Sequence, residues 1–185
     1  MSLKNTQLKV FFCDLTHDTI ILVSDTIPIN IGFIASYAKK ILKNEISVKL
    51  FKFPKNAIES IKKEKPDLIC LSNYSWNSLL SEHISSIAKK VNPDCITAQG
   101  GPNFPHDDEQ QKIFMRQRSS TDIFIIMEGE ITTTNIIKRI IECNKDKKKI
   151  YIKEMRDFFG KTSSVYVTHY QGLTVKQIDE LRTEM

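Results

Sequence analysis

Two stretches of this chain carry the residue types best suited to chemistry. The first is Gly100-Gly101-Pro102-Asn103-Phe104-Pro105, which follows the apolar run Cys95-Ile96-Thr97-Ala98 and precedes an acidic helix start at Asp107-Asp108-Glu109. Adjacent glycines at a strand end leave a surface without side chains, open to a ligand or another backbone, and the flanking prolines stiffen it. The plainer reading is a tight strand-to-helix turn. The second stretch is Ser72-Asn73-Tyr74-Ser75-Trp76-Asn77, which contains the only tryptophan. Its hydroxyls and amides can donate and accept hydrogen bonds, and its rings can stack on a flat partner. Alternatively, its aromatics staple the loop to the core and its asparagines are ordinary turn residues. A third feature is Glu128-Gly129-Glu130, an acidic turn at a helix start, a position where carboxylates commonly complement the helix dipole.

The elements that position these loops follow from periodicity. Short apolar runs at 8–13, 46–53, 67–71, 95–98 and 122–127 read as buried parallel strands. Between them the period becomes helical. Ile31, Ile34, Ala35, Ala38, Ile41 and Leu42 form one stripe, and Leu80, Ile84, Ile87, Ala88 and Val91 a second. Further helices fit 55–64 and 107–118, and Ile136, Ile137, Ile140 and Ile141 mark another. Alternation of strand and helix predicts a doubly wound α/β sandwich with a five-stranded parallel sheet, for which 2-1-3-4-5 is the commoner order beside its relatives. Ligands of such sheets sit beyond the carboxyl ends of the strands, where the long polar Asp14-to-Ile27 loop and the three features above all fall.

Composition narrows the function classes. The 185 residues, 41% hydrophobic and 26% charged, suit an ordinary globular domain with an appendage. The net charge of +5 is spread over the chain, with one dense cluster at Lys145 to Lys149. Without a basic patch interleaved with aromatics, nucleic acid is not an expected partner. No apolar stretch approaches the roughly 18 residues of a membrane span and there is no leader pattern, so the expected setting is cytoplasmic with no membrane partner. The four cysteines, at 13, 70, 95 and 143, form no Cys-x-x-Cys pair. They are expected as reduced thiols, and their spacing builds neither a zinc site nor an iron–sulfur cluster.

Pro28-x-x-x-Gly32, Pro66-Asp67, Leu71 to Asn77, the Gly100-to-Pro105 loop and Gly129-Glu130 together resemble the N-terminal cobalamin-binding domain of radical S-adenosylmethionine enzymes, over about residues 8 to 143. The resemblance implies cobalamin along the carboxyl edge, contacted by Pro28, Asn30, Gly32, Ser72, Asn73, Tyr74, Trp76, Asn77, Gly100, Gly101, Pro102, Asn103, Phe104, Glu128 and Gly129. It implies a parent protein that also uses S-adenosylmethionine and a 4Fe-4S cluster, with methyl transfer or a radical rearrangement as its reaction. The partner would be a radical S-adenosylmethionine catalytic domain downstream in the same polypeptide.

One departure from related patterns stands out. Classical cobalamin proteins use Asp-x-His-x-x-Gly after the first strand, whereas Asp14-Leu15-Thr16-His17 has the wrong spacing and lacks the glycine. His17 as a cobalt ligand is the minority reading. The domain expectation is a cobalamin-binding unit at 1–145 and an edge hairpin and linker at 146–185, the chain ending as if a larger protein had been cut and being non-catalytic by itself. Two rivals stand beside this reading: a flavodoxin-like domain that binds a nucleotide or flavin, although no glycine-rich phosphate loop follows the first strand, and a degenerate module that serves as an interaction surface.

Overall fold

The computed structural model describes residues 7–17, 27–126 and 128–142. Strand β1 (Leu8–Cys13) lies beside β2 (Ile46–Phe51) and β3 (Leu68–Ser72); β4 (Ile96–Gly100) and β5 (Ile123–Ile125) complete a sheet ordered β2-β1-β3-β4-β5. Every pairing is parallel, with Val10 opposite Leu68, Ser72 opposite Gly100 and Gly100 opposite Ile125. The crossovers are α1 (Ile29–Leu42), α2 (Pro54–Glu64), α3 (Ser78–Val91) and α4 (Asp108–Arg116), and α5 (Gly129–Glu142) follows β5. This is the doubly wound sandwich that the alternating periodicity predicts, in the flavodoxin-like order.

The two faces of β1 divide the core. Val10 and Phe12 point into a layer with Ile31, Ala35, Ala38 and Leu42 of α1 and Ile137 and Ile140 of α5. Phe11 and Cys13 point the other way, onto Ala57 and Ile61 of α2 and Ile84 and Ala88 of α3. Successive strand residues face opposite sides, so a strand covered on both sides is apolar throughout. Each such side chain contributes about 1.5–3 kcal/mol by leaving water. The α1 stripe departs from expectation at Ile41, which is exposed.

Element ends have local causes. The expected 46–53 strand stops at Phe51 because Pro54 occupies the first turn of α2, where its missing N–H costs nothing. Strand β4 runs on to Gly100 instead of ending at Ala98, because Gln99 and Gly100 keep register with Leu71 and Ser72. Helix α4 starts as the acidic triplet predicts: the Asp107 carboxylate accepts a hydrogen bond from Gln110 N at 3.0 Å. The expected edge hairpin and linker at 146–185 lies outside the described residues.

Candidate functional site

Because β3 and β4 end in register, the loops that leave them run side by side. Asn73 N donates to Gly100 O at 2.7 Å, extending the ladder past the strands. Gly101 has φ +147°, and a Cβ built there would lie 2.3 Å from Asn73 O. Glycine is therefore demanded at this position by a neighbouring strand end. Gly100 is tight for a similar reason, since its Cβ would stand 3.2 Å from Ile125 O.

The polar side chains of the second loop are also committed within the protein. Ser72 Oγ donates to Asp14 Oδ1 and accepts from Asn77 Nδ2 at 3.1 Å. Asn77 Nδ2 also reaches Leu15 O, and its Oδ1 accepts from Tyr74 N at 2.8 Å. Asn73 donates to Gln99 Oε1 and accepts from Asn103 Nδ2 at 2.9 Å. Asn73 and Asn77 are fully buried. Ser72, Asn73, Asn77 and Asn103 therefore lock the loops together, the turn-residue alternative. Tyr74 and Trp76 stack on each other, with ring centroids 4.4 Å apart and planes 4° from parallel. Trp76 remains 64% exposed.

Above these loops lies a cavity of about 630 Å³, open at the carboxyl edge. Of the expected residues, Asn30, Ser72, Tyr74, Gly100, Gly101, Pro102, Phe104, Glu128 and Gly129 line it; Pro28, Gly32, Asn73, Trp76, Asn77 and Asn103 do not. Phe104 serves as wall, stacked on Phe124 at 4.3 Å and edge-on to Phe114 at 5.3 Å. Sequence reasoning missed Phe33, Ile34, Gln99, His106, Gln111 and Thr133, which also line it. Ile34 belongs to the α1 stripe, so its apolar character read as core alone, and Gln99 interrupts an apolar strand, a signal that could have drawn attention. Gly129 admits the close approach of α5 to α1: a Cβ there would lie 2.6 Å from Ile34 Cδ1.

His17, Cys13 and Cys70 are engaged or buried within the fold. His17 Nε2 lies 3.0 Å from Trp76 O, so that ring nitrogen is occupied by a backbone carbonyl, and His17 does not line the cavity. Burial, and then the neighbouring thiols, push the Cys13 and Cys70 thiols far above their ordinary range, so they are neutral and unreactive. Among the described residues no group of three or more His, Cys, Asp or Glu could hold a metal ion. Nor is any helix there long and apolar enough to cross a membrane.

Comparison with known proteins directs attention to the other end of the chain. The ribosomal protein L10 family matches residues 143–185, beginning one position after the last described residue. Large ribosomal subunit protein uL10 of Pelagibacter ubique is 57% identical over 42 residues, 23% of this chain and 25% of that protein. Its counterpart from Rhodospirillum rubrum is 40% identical over 42 residues, 23% of this chain and 24% of that protein. The chain thus spans about a quarter of the length of the curated relatives it matches. Among solved structures, a cobalamin-binding protein from Desulfitobacterium hafniense DCB-2 aligns with a TM-score of 0.50 and 16% identity, over 71% of this chain and 58% of that one. That likeness is one of fold, since fold does not carry function with it.

These matches overturn the family reading of the sequence. The matched family and both curated relatives are ribosomal, and none is a radical S-adenosylmethionine protein. The expectations of a cobalamin module, of S-adenosylmethionine and a 4Fe-4S cluster, and of a downstream radical catalytic domain are withdrawn with it, as are the nucleotide, flavin and degenerate-module rivals. The expectation of no nucleic-acid partner is withdrawn too, since both curated relatives are named for the large ribosomal subunit. The misleading signals were the glycine pair and the Ser72–Asn77 loop, whose residue types answer to contacts between two strand ends.

Proposed function

We propose that the chain has two parts: an α/β domain ending near Glu142, and a uL10-like segment at 143–185 through which it associates with the large ribosomal subunit in the cytoplasm. The observation that carries this reading is the 57% identity over 42 residues to a uL10 protein. Two features of the chain support it. The cluster Lys145, Lys147, Lys148 and Lys149 opens the segment, and closely spaced cations attract an RNA backbone. Among the described residues, five strands and two helical layers lie before residue 143 and share a core.

The test is co-sedimentation of the full chain with large ribosomal subunits depleted of their own uL10. The chain is expected in the pellet, in a salt-dependent manner, and a Lys145→Glu/Lys147→Glu/Lys148→Glu/Lys149→Glu variant is expected to bind about tenfold or more weakly. A full chain that stays in the supernatant with depleted subunits at low salt refutes the reading.

A further inference from the structure

The cavity at the carboxyl edge is lined by residues that precede the uL10-like stretch, and its chemistry is legible from what those residues leave unsatisfied. We propose that it binds an organic cation, an apolar or aromatic body carrying an ammonium group.

The first argument is charge. Lysine and arginine number 27 in the chain, yet among the described residues neither lines the cavity, whereas Glu128 and Glu130 both do. Among the described residues neither glutamate is paired with a cation. Carboxylates at the start of α5 complement its dipole, but each helix terminus supplies only about half a unit of positive charge. Helices α1 and α5 begin at this cavity, so two full negative charges exceed what both termini offset. A phosphate-bearing ligand would meet repulsion here, and a cation attraction.

The second argument is the balance of donors and acceptors. Gln111 is 93% buried by its 7% exposure, and its Nε2 is engaged by Pro105 O at 2.9 Å. Its Oε1 has no partner among the described residues and is not sealed from solvent, leaving a carbonyl oxygen at the cavity lining. Asn30 likewise spends Nδ2 on Tyr74 Oη at 3.1 Å and keeps Oδ1 open. Four acceptor groups, Glu128, Glu130, Asn30 and Gln111, thus face a space of about 630 Å³. The Gln111 oxygen is open to the cavity, and an ammonium, which carries donors only, complements it. Ile31, Ile34 and Ile125 give the apolar wall for the body of the ligand, and Phe33 and Tyr74 add aromatic surface that favours cations.

The test uses two probes with the same fluorophore and opposite charge, dansylcadaverine and dansyl-6-aminohexanoate, titrated into the full chain at pH 8. Trp76, the sole tryptophan, sits beside Tyr74 at the rim and reports binding by energy transfer to the dansyl group. The amine is expected to bind at least about tenfold more tightly than the acid. In Glu128→Gln/Glu130→Gln that preference is expected to shrink to about threefold or less, with an unchanged thermal midpoint reporting an intact fold. Equal affinity for the two probes, tighter binding of the acid, an unchanged preference in the folded double variant, or no saturable transfer from either probe overturns the proposal.

Discussion

Two layers adjoin the cavity and behave in opposite ways: the floor, meaning the loops that leave β3 and β4 beneath it, and the rim, meaning the starts of α1 and α5 beside it. In the floor, where β3 and β4 end, Ser72, Asn73, Asn77 and Asn103 satisfy one another, and Gly101 has no room for a Cβ. On the rim, Glu128 and Glu130 are unpaired among the described residues, and a Cβ added to Gly32 would meet nothing within 4 Å. Polar loop residues and glycines are therefore no signature of a ligand in themselves. The distinction is whether their hydrogen-bonding capacity and their space are already used by the protein.

Substitutions can break this comparison. The largest effect is expected from Gly101→Ala, which combines a backbone conformation reserved for glycine with a clash against Asn73 O; a loss of about 3 kcal/mol or more is expected in urea unfolding. A Gly101→Ala protein as stable as its parent would show that the floor is not closed as described. Next comes Asn77→Ala, which strands Tyr74 N and frees Ser72 Oγ and Leu15 O inside the loop; about 2 kcal/mol should be lost in the same assay. A cost below about 0.5 kcal/mol would mean that water replaces those bonds and that the loop is open to a ligand after all. The smallest effect, and of opposite sign, is expected for Gly32→Ala. Alanine inside α1 with free space around it should raise stability by about 0.5–1 kcal/mol. Destabilisation there would indicate that the α1 rim is more crowded than the floor, reversing the contrast.

The two glutamates sharpen the comparison from the other side. Because neither is paired among the described residues, Glu128→Gln/Glu130→Gln should shift stability by no more than about 0.5 kcal/mol while altering probe selectivity. An equally mild substitution in the floor is not available, since Ser72, Asn73, Asn77 and Asn103 each hold a partner inside the fold.

The sequence by itself determined the architecture, because a chain with buried strands and one-faced helices reports its layers through periodicity alone: Val10 and Phe12 against Phe11 and Cys13, Ala35 and Ala38 down one side of α1. It also placed the acidic N-cap Asp107, whose partner Gln110 is three residues away. What only the tertiary structure decided was the meaning of the loops. Asn73 and Gln99 are 26 residues apart, Ser72 and Asp14 58, and Asn77 and Leu15 62. No local pattern records such pairings, so satisfied and unsatisfied polar groups look alike along the chain. The same limit hid the cavity wall at Ile34 and Gln111, residues of α1 and α4 that line one cavity only once the sheet has formed.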